Sequence, residues 1–342
     1  MPNQKQSPQI AIVGASGAVG SEAISILASR GHPVQRLRLF GSDRSVGKSI
    51  DYLGSTIRIE HLEEITQSEN DFVLLCATGD VARSVRDALF DTDTVLIDNS
   101  SAFRMDPDVP LVIPEVNAHL LHAGIRLIAN PNCSTIMLLV ALDPLHKAFG
   151  VKSVIVTTYQ AVSGAGAAGI DELYLQTRDY LDGSIAPTKV FPRSCAFNVF
   201  EHESPIDPAT GFNGEESKMI GETQRIWDDS TISVLPTCVR VPVERAHAQS
   251  LIVELGCSTT VEDLHKIFSE QGGIEQTPHG RLLTPRDVAG KDGVFVGRVR
   301  VDPQSNGRRV MLWICADQIR KGAALNAIQI LDEMLRRIEH DA

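Results

Sequence analysis

Cys133 stands in the run Asn130-Pro131-Asn132-Cys133-Ser134-Thr135, which follows an apolar, strand-like stretch, Ile125 to Ala129, and leads into a helix-like stretch, Ile136 to Leu145. That order predicts a thiol at a helix N-terminus. Unpaired N–H groups and the positive end of the helix dipole there favour thiolate over thiol, and the thiolate is the form that attacks a carbonyl carbon. The other cysteines, Cys76, Cys195, Cys238, Cys257 and Cys315, read as small buried apolar side chains. No CxxC or Cys/His spacing calls for zinc, and His119 and His122, three residues apart, lack a third ligand, so no metal is expected.

A second chemical signal opens the chain. Gly14-Ala15-Ser16-Gly17-Ala18-Val19-Gly20 lies between an apolar strand, Ile10 to Val13, and a helix, Ala18 to Ser29. Glycines at such a turn let backbone N–H groups approach a pyrophosphate, and the helix N-terminus adds a favourable dipole. The GxxGxxG spacing is looser than GxGxxG, so its place between strand and helix carries the reading. The end of the second strand, Phe40-Gly41-Ser42-Asp43-Arg44-Ser45-Val46-Gly47-Lys48, supplies Arg44 with Ser42, Ser45 and Lys48, groups suited to the 2′-phosphate of NADP. Asp43 would repel that phosphate and is expected to turn outward.

The elements that must position these groups fall into two patterns. Short apolar strands at Ile10–Val13, Val34–Phe40, Asp71–Ala77, Thr94–Asp98 and Ile125–Ala129, with helices at Ala18–Ser29 and Val81–Leu89, predict a doubly wound, Rossmann-like parallel sheet. Beyond Cys133 come runs rich in valine and isoleucine, several of them alternating: Ser153–Gln160, Val239–Val243, Ser250–Gly256, Val294–Val301 and Arg309–Ala316. These predict a mostly antiparallel sheet in a second, α+β domain. Lys321 to Ile338 reads as an amphipathic helix closing the chain. The expected division is therefore an α/β nucleotide domain, 1–131 with 321–342, and a catalytic and dimerisation domain, 132–320.

Composition bounds the partners. A length of 342 residues predicts two domains, and the hydrophobic fraction of 43% is that of an ordinary globular protein. The net charge of -11 argues against nucleic acid or an anionic membrane as the main partner, so anionic substrates must meet local cations. Met1 to Gln9 is polar and no apolar run reaches membrane-spanning length, which predicts a cytoplasmic location with reduced thiols.

The stretches GASGAVG, SDRSVGK, DNSSAFRMDPDVPLVIPEVN, NPNCST, TYQAVSGAG, EESKM followed by ET, VRVPVERAH and KGAALNA together resemble the aspartate-semialdehyde dehydrogenase family over nearly the whole chain. The resemblance implies a reversible, NADP-dependent conversion of L-aspartate 4-semialdehyde and phosphate to L-aspartyl 4-phosphate, on the route to lysine, threonine, methionine and diaminopimelate. It implies Cys133 as nucleophile, His247 as general acid/base and Gln160 as the orienting group. Arg240 would bind the substrate carboxylate, Arg104 and Lys218 phosphate, and Glu215 would lie near the substrate amino group. Gly14, Ala15, Ser16, Gly17, Ala18, Val19, Ser42, Arg44, Ser45, Lys48, Ser163, Gly164 and Asn326 would hold the cofactor. It also implies a homodimer or tetramer built through the second domain.

The chemistry independently suits these residue types. A thiolate adds to the aldehyde, the tetrahedral adduct must give up a proton as hydride leaves, and histidine titrates near neutrality. The thioester then passes its acyl group to phosphate, because thiolate is a good leaving group. The Cys133 backbone N–H and the Asn132 side chain could stabilise the oxyanion. Two arginines match a substrate with a carboxylate at one end and phosphate at the other. Ala248 and Glu244 depart from the family's usual residues near His247. An N-acetyl-glutamyl-phosphate reductase or glyceraldehyde-phosphate dehydrogenase would use a similar Cys/His pair, and a non-catalytic NADP-binding homologue would be expected to have lost the thiol or the histidine.

Overall fold

In the computed structural model, residues 7–67, 69–184 and 187–341 are described; the beginning of the polar N-terminal stretch, 1–6, lies outside them. The described residues form two compact units, one running to Pro131 and including the residues from Ala323 on, the other Asn132–Gly322.

The first unit contains β1 (Ile10–Val13), α1 (Ala18–Ser29), β2 (Leu37–Gly41), β3 (Ser49–Tyr52), β4 (Ser55–His61), β5 (Phe72–Leu75), α2 (Gly79–Ala88), β6 (Val95–Asp98), α3 (Pro114–Asn117) and β7 (Leu127–Ala129). Its sheet has the order β3-β4-β2-β1-β5-β6-β7 and is parallel except for the β3–β4 hairpin. β1 and β5 are buried at every residue, as strands covered on both faces must be. The chain leaves β1 for β2 on one side and later returns to β5 on the other. The carboxyl ends of β1 and β5 are thus a topological switch point, where open α/β sheets bind ligands.

The second unit contains α4 (Cys133–Phe149), β8 (Val151–Gln160), α5 (Ala167–Leu181), β9 (Phe200–Glu201), α6 (Gly214–Ile226), β10 (Ser233–Arg240), β11 (His247–Leu255), α7 (Val261–Glu270), β12 (Ile274–Gln276), α8 (Pro285–Val288), β13 (Val294–Val301) and β14 (Arg309–Ala316). The sheet order is β12-β13-β14-β11-β8-β10-β9, antiparallel apart from the β8–β10 and β12–β13 pairs. Ser134 to Leu145 of α4 is buried without interruption, the signature of a helix enclosed on all sides rather than an amphipathic surface helix. A final helix, α9 (Leu325–Asp341), belongs to the first unit, where it packs on α1, α3 and β6.

Several expected boundaries move. Val34–Arg36 is a 3₁₀ turn after Pro33, and pairing with β1 begins only at Leu37. The strand expected at Val239–Val243 is β10, which starts at Ser233 and stops at Arg240, because Pro242 has no N–H to donate. Arg320–Ala324 forms a π turn ahead of the regular terminal helix. Cys195, Cys238 and Cys315 are buried and Cys76 is half-buried, but Cys257 is exposed, in the turn after β11.

Gly14 adopts φ +83°, and a Cβ added there would lie 2.3 Å from the carbonyl oxygen of Cys76, just past β5. Gly31 shares a positive φ, +69°, but faces open space. Gly31→Ala should therefore cost about 1 kcal/mol of backbone strain alone, and Gly14→Ala clearly more, about 3 kcal/mol, since the strand ends must also part. Thermal unfolding of the two variants side by side checks the order; equal losses would contradict the packing argument.

Candidate functional site

Cys133 is the first residue of α4, and Asn132 caps the helix, its Oδ1 accepting from the backbone N–H of Ser134 at 2.9 Å and of Thr135 at 3.3 Å. Asn132 is extended where Cys133 is helical, so the cap fixes the point at which the thiol enters the helix. The backbone N–H of Asn132 donates to Glu222 Oε2 at 2.6 Å. Gly322 closes the other side: a Cβ there would meet Cys133 Cβ at 2.8 Å.

Asn132 Nδ2 donates to Glu215 Oε1 at 2.8 Å, and Gln160 Nε2 reaches the same oxygen at 3.3 Å and Ser134 Oγ at 3.0 Å. Lys218 Nζ lies 3.2 Å from the other oxygen, Oε2. Glu215 is buried at the start of α6, which Asn213 and Glu216 close with a reciprocal capping box. Burial works against its ionisation, but the Lys218 charge, His202 and the hydrogen bonds from Asn132 and Lys218 outweigh it and hold the carboxyl at about 2. It is therefore a carboxylate in any neutral medium. One of the two Asn132 amide hydrogens is committed to it, so that side chain acts first as helix cap and bridge.

Gln160 and Arg240 end the neighbouring parallel strands β8 and β10 in register with each other. Just beyond, the Ala161 N–H donates to His247 Nδ1 at 3.0 Å, and the Ala161 carbonyl accepts from Arg240 Nη1 at 2.7 Å. A ring whose Nδ1 accepts a hydrogen bond carries its neutral-state proton on Nε2. His247 is completely buried, and Nε2 has no hydrogen-bond partner among the described residues. Burial first, and then the Arg240 charge, push its pKa down to about 3. Gly164 borders this space, since a Cβ there would stand 3.2 Å from Arg240 Nη1 and 3.7 Å from His247 Nε2. Ser163 is buried and accepts from Gln318. Ala248 packs in the apolar cluster around Phe295, while Glu244 turns its carboxylate to the Tyr174 hydroxyl at 2.8 Å.

In the first unit, the backbone N–H groups of Gly14 and Ala15 donate to the Phe40 carbonyl, tying the glycine loop to the end of β2. The N-cap of α1 is Gly17, with no side chain over the helix end, and Ser16 Oγ lies 2.7 Å from Ser45 Oγ. Ser42, Arg44 and Lys48 are exposed around the turn. Asp43 points outward, almost fully exposed and 3.7 Å from His61 Nδ1. A Cβ at Gly20 would strike the Gly14 carbonyl oxygen at 2.3 Å, so the cradle is shaped by missing side chains, and the start of α1, not capped by a side chain, suits a dinucleotide phosphate.

At the end of β6, Arg104 is buried with Nη2 donating to the Asn99 carbonyl at 2.8 Å. Asn99 also accepts from Asn130 Nδ2 at 3.0 Å, and Asn130 Oδ1 accepts from Asn326 Nδ2 at 2.6 Å. Asn326 thus braces the ends of β6 and β7 from α9. Among the described residues no group of three or more His, Cys, Asp or Glu is placed to hold a metal ion, and no helix is long and apolar enough to cross a membrane.

The second unit thus gathers Asn132, Cys133, Gln160, Glu215, Lys218, Arg240 and His247, and the first carries the glycine loop, Ser42, Arg44, Ser45, Lys48, Arg104 and Asn326. Sequence reasoning missed Ser134 as the partner of Gln160, Glu222 on the Asn132 backbone, Gly322 against Cys133, and the pair His202 and Glu203 beside Arg240. NPNCST, ET and KGAALNA held cues for Ser134, Glu222 and Gly322, but His202 and Glu203 lie in none of the quoted stretches, and a glutamate in a polar loop carries no periodicity to betray its partner.

A family model for the semialdehyde dehydrogenase NAD binding domain matches residues 9–123, and one for the semialdehyde dehydrogenase dimerisation domain matches 142–321. An aspartate-semialdehyde dehydrogenase of Prochlorococcus marinus is 44% identical over 331 residues, 96% of each chain. Aspartate-semialdehyde dehydrogenase 2 of Vibrio cholerae is 43% identical over 334 residues, covering 97% of this chain and 98% of its own. The crystal structure of aspartate semialdehyde dehydrogenase II from Vibrio cholerae, complexed with ASA, superposes with a TM-score of 0.93 at 42% identity, over 97% of this chain and 99% of that one. These likenesses favour neither an N-acetyl-glutamyl-phosphate reductase nor a glyceraldehyde-phosphate dehydrogenase, and with both domains matched in order and relatives aligned nearly end to end, the chain belongs to the aspartate-semialdehyde dehydrogenase family.

Proposed function

We propose that this chain interconverts L-aspartate 4-semialdehyde and phosphate with L-aspartyl 4-phosphate, using NADP. The observation that carries the reading is the cluster around Cys133: a thiol at a capped helix start, with Asn132 and Gln160 hydrogen-bonded to Glu215, and Arg240 and His247 hydrogen-bonded to the backbone of the next residue in the chain after Gln160, Ala161. The cofactor belongs to the unit with the glycine loop, where Arg44 and the neighbouring serines suit a 2′-phosphate and Asp43 points away. NADP held there would supply the hydride acceptor for the oxidative direction and the donor for the reductive one.

The Cys133 thiolate adds to the aldehyde carbon, and the oxygen of the resulting adduct is met by the Nε2–H of His247. Because Ala161 fixes the tautomer, His247 meets that oxygen as a neutral Nε2–H donor and holds the adduct as an alkoxide, from which hydride leaves to give the thioester without the ring having to take up a proton. Gln160, held by Ser134 and Glu215, keeps the strand end in place. Phosphate then attacks the thioester and Cys133 leaves as thiolate. Arg240 receives the substrate carboxylate, Glu215 the amino group, and Lys218 and Arg104 phosphate. Activity is followed as NADPH formation from the aldehyde and phosphate. Cys133→Ser should abolish it while leaving the fold intact, NAD should replace NADP poorly, and omission of phosphate should stop turnover. A wild-type protein that is folded and binds NADP but does not turn over would reject the substrate.

His247→Gln should lower kcat by about 10²–10⁴-fold. The same variant tests the neutrality of the ring through stability. A histidine whose folded pKa is about 3, against an ordinary 6.5, refuses a proton that the unfolded chain accepts. Stability is therefore lost as pH falls below 6.5, by up to about 1.4 kcal/mol per pH unit from this one group. Unfolding by urea at pH 7 and pH 5 should show a shallower loss in His247→Gln than in wild type.

The second sheet also proposes the assembly. Leu235, Ile155, Ile252 and Met311 lie side by side across β10, β8, β11 and β14, forming an apolar row in which Ile155 is 47% and Leu235 48% exposed. A second copy of this chain covers that face, giving at least a homodimer, consistent with the dimerisation model over 142–321. Ile155→Arg with Leu235→Arg should yield monomers by sedimentation; a dimer that survives both places the interface elsewhere.

A further inference from the structure

Arg240 is the largest of the fully buried side chains, and its guanidinium is already occupied. Nε donates to Glu203 Oε2 at 3.2 Å and Nη2 to Glu203 Oε1 at 2.6 Å, a two-point carboxylate contact along one edge. Nη1 donates to the Ala161 carbonyl at 2.7 Å, Nη2 lies 3.1 Å from His202 Nε2, and the cation stands over the Phe191 ring at 5.3 Å. Neither edge of the fork keeps two donors for an incoming carboxylate. A guanidinium recognises carboxylate best through such a paired edge. Here that edge holds a carboxylate from the chain itself.

We propose that Glu203 is a built-in competitor for the substrate carboxylate, holding the paired edge of Arg240 until a carboxylate-bearing aldehyde displaces it. This rests on the reading of Arg240 as the carboxylate site. Glu203 lies on the segment between β9 and α6, so its side chain can leave without unpairing a strand, and it is the more exposed member of the pair, 20% against 2%. Burial alone would raise the Glu203 pKa, but the hydrogen bonds and charge of Arg240 reverse this and keep it below the ordinary carboxylate range. A buried cation without a counter-ion is costly. Exchange of one carboxylate for another leaves Arg240 neutralised throughout, and an aldehyde lacking a carboxylate cannot make that exchange.

The test is steady-state kinetics of wild type, Glu203→Gln, Glu203→Asp and Arg240→Lys with L-aspartate 4-semialdehyde and with 3-aminopropanal, which keeps aldehyde and amine but has no carboxylate. In Glu203→Gln, KM for the first substrate should fall about fivefold, the size of effect expected on removing a partly exposed charged competitor, with the change in KM rather than kcat. KM for 3-aminopropanal should not move, and Glu203→Asp should fall between wild type and Gln. If the Gln variant does not fold, the Asp variant decides by the same direction of KM. A rise in KM would overturn the proposal, making Glu203 a support for Arg240, and so would an equal gain for both aldehydes. If Arg240→Lys leaves both KM values unmoved, the failure lies with the reading of Arg240, separately from that of Glu203.

Discussion

One buried carboxylate organises the second unit. Glu215 accepts hydrogen bonds from Asn132, Gln160 and Lys218, and each donor leads to a different part of the site. Asn132 is the cap that sets where α4 begins and therefore where Cys133 stands. Gln160 ends β8 beside Arg240 and reaches back to Ser134. Lys218 is the neutralising charge one turn along α6. A lone ion in this position would be strongly disfavoured, but the start of a helix favours negative charge, and three donors meet its lone pairs. The arrangement is rigid because removing any one donor leaves a buried charge short of a partner.

The same logic sets the electrostatics of the neighbouring pair. His247 lies close enough to Arg240 for the arginine charge to oppose its protonation, after burial has already done so. The ring is thereby kept neutral, and the Ala161 N–H decides which nitrogen holds the proton. A single residue, Ala161, thus serves two side chains with its two backbone groups, donating to His247 and accepting from Arg240. Both bonds are made by its backbone, so the residue type at 161, though within the stretch TYQAVSGAG, does not disclose them.

What the sequence disclosed follows from the range of the forces involved. The β1–glycine loop–α1 unit and the start of α4 were legible because turn, cap and apolar run are all local in sequence. The β3–β4 hairpin was missed although its cue is local: Leu53 and Gly54 both take positive φ, as a two-residue hairpin turn requires, but the strands are polar on one face and exposed. β10 begins six residues before the expected Val239 and takes in Pro236, a residue that cannot donate to a ladder. It is tolerated since β9 pairs only at Val239 and Arg240, leaving Pro236 on an open edge. The residues of the site were recognised through family motifs, whereas two of their partners, Glu203 and His202, depend on contacts between distant segments that no spacing encodes.

The chain as a whole carries a charge of -11, yet its proposed substrate presents a carboxylate and its co-substrate is phosphate. Selectivity for them must be local, and a buried arginine provides it only if its charge is balanced before the substrate arrives. Glu203 supplies that balance from a loop, Glu215 does the same for Lys218 from a helix start, and the two differ in a telling way. Glu215 is deeply buried and engaged by three donors, so it is part of the framework; Glu203 is more exposed and engaged by Arg240 on one edge, so it is exchangeable. A site that must admit a carboxylate-bearing aldehyde and exclude aldehydes without one is served by one fixed carboxylate and one that yields.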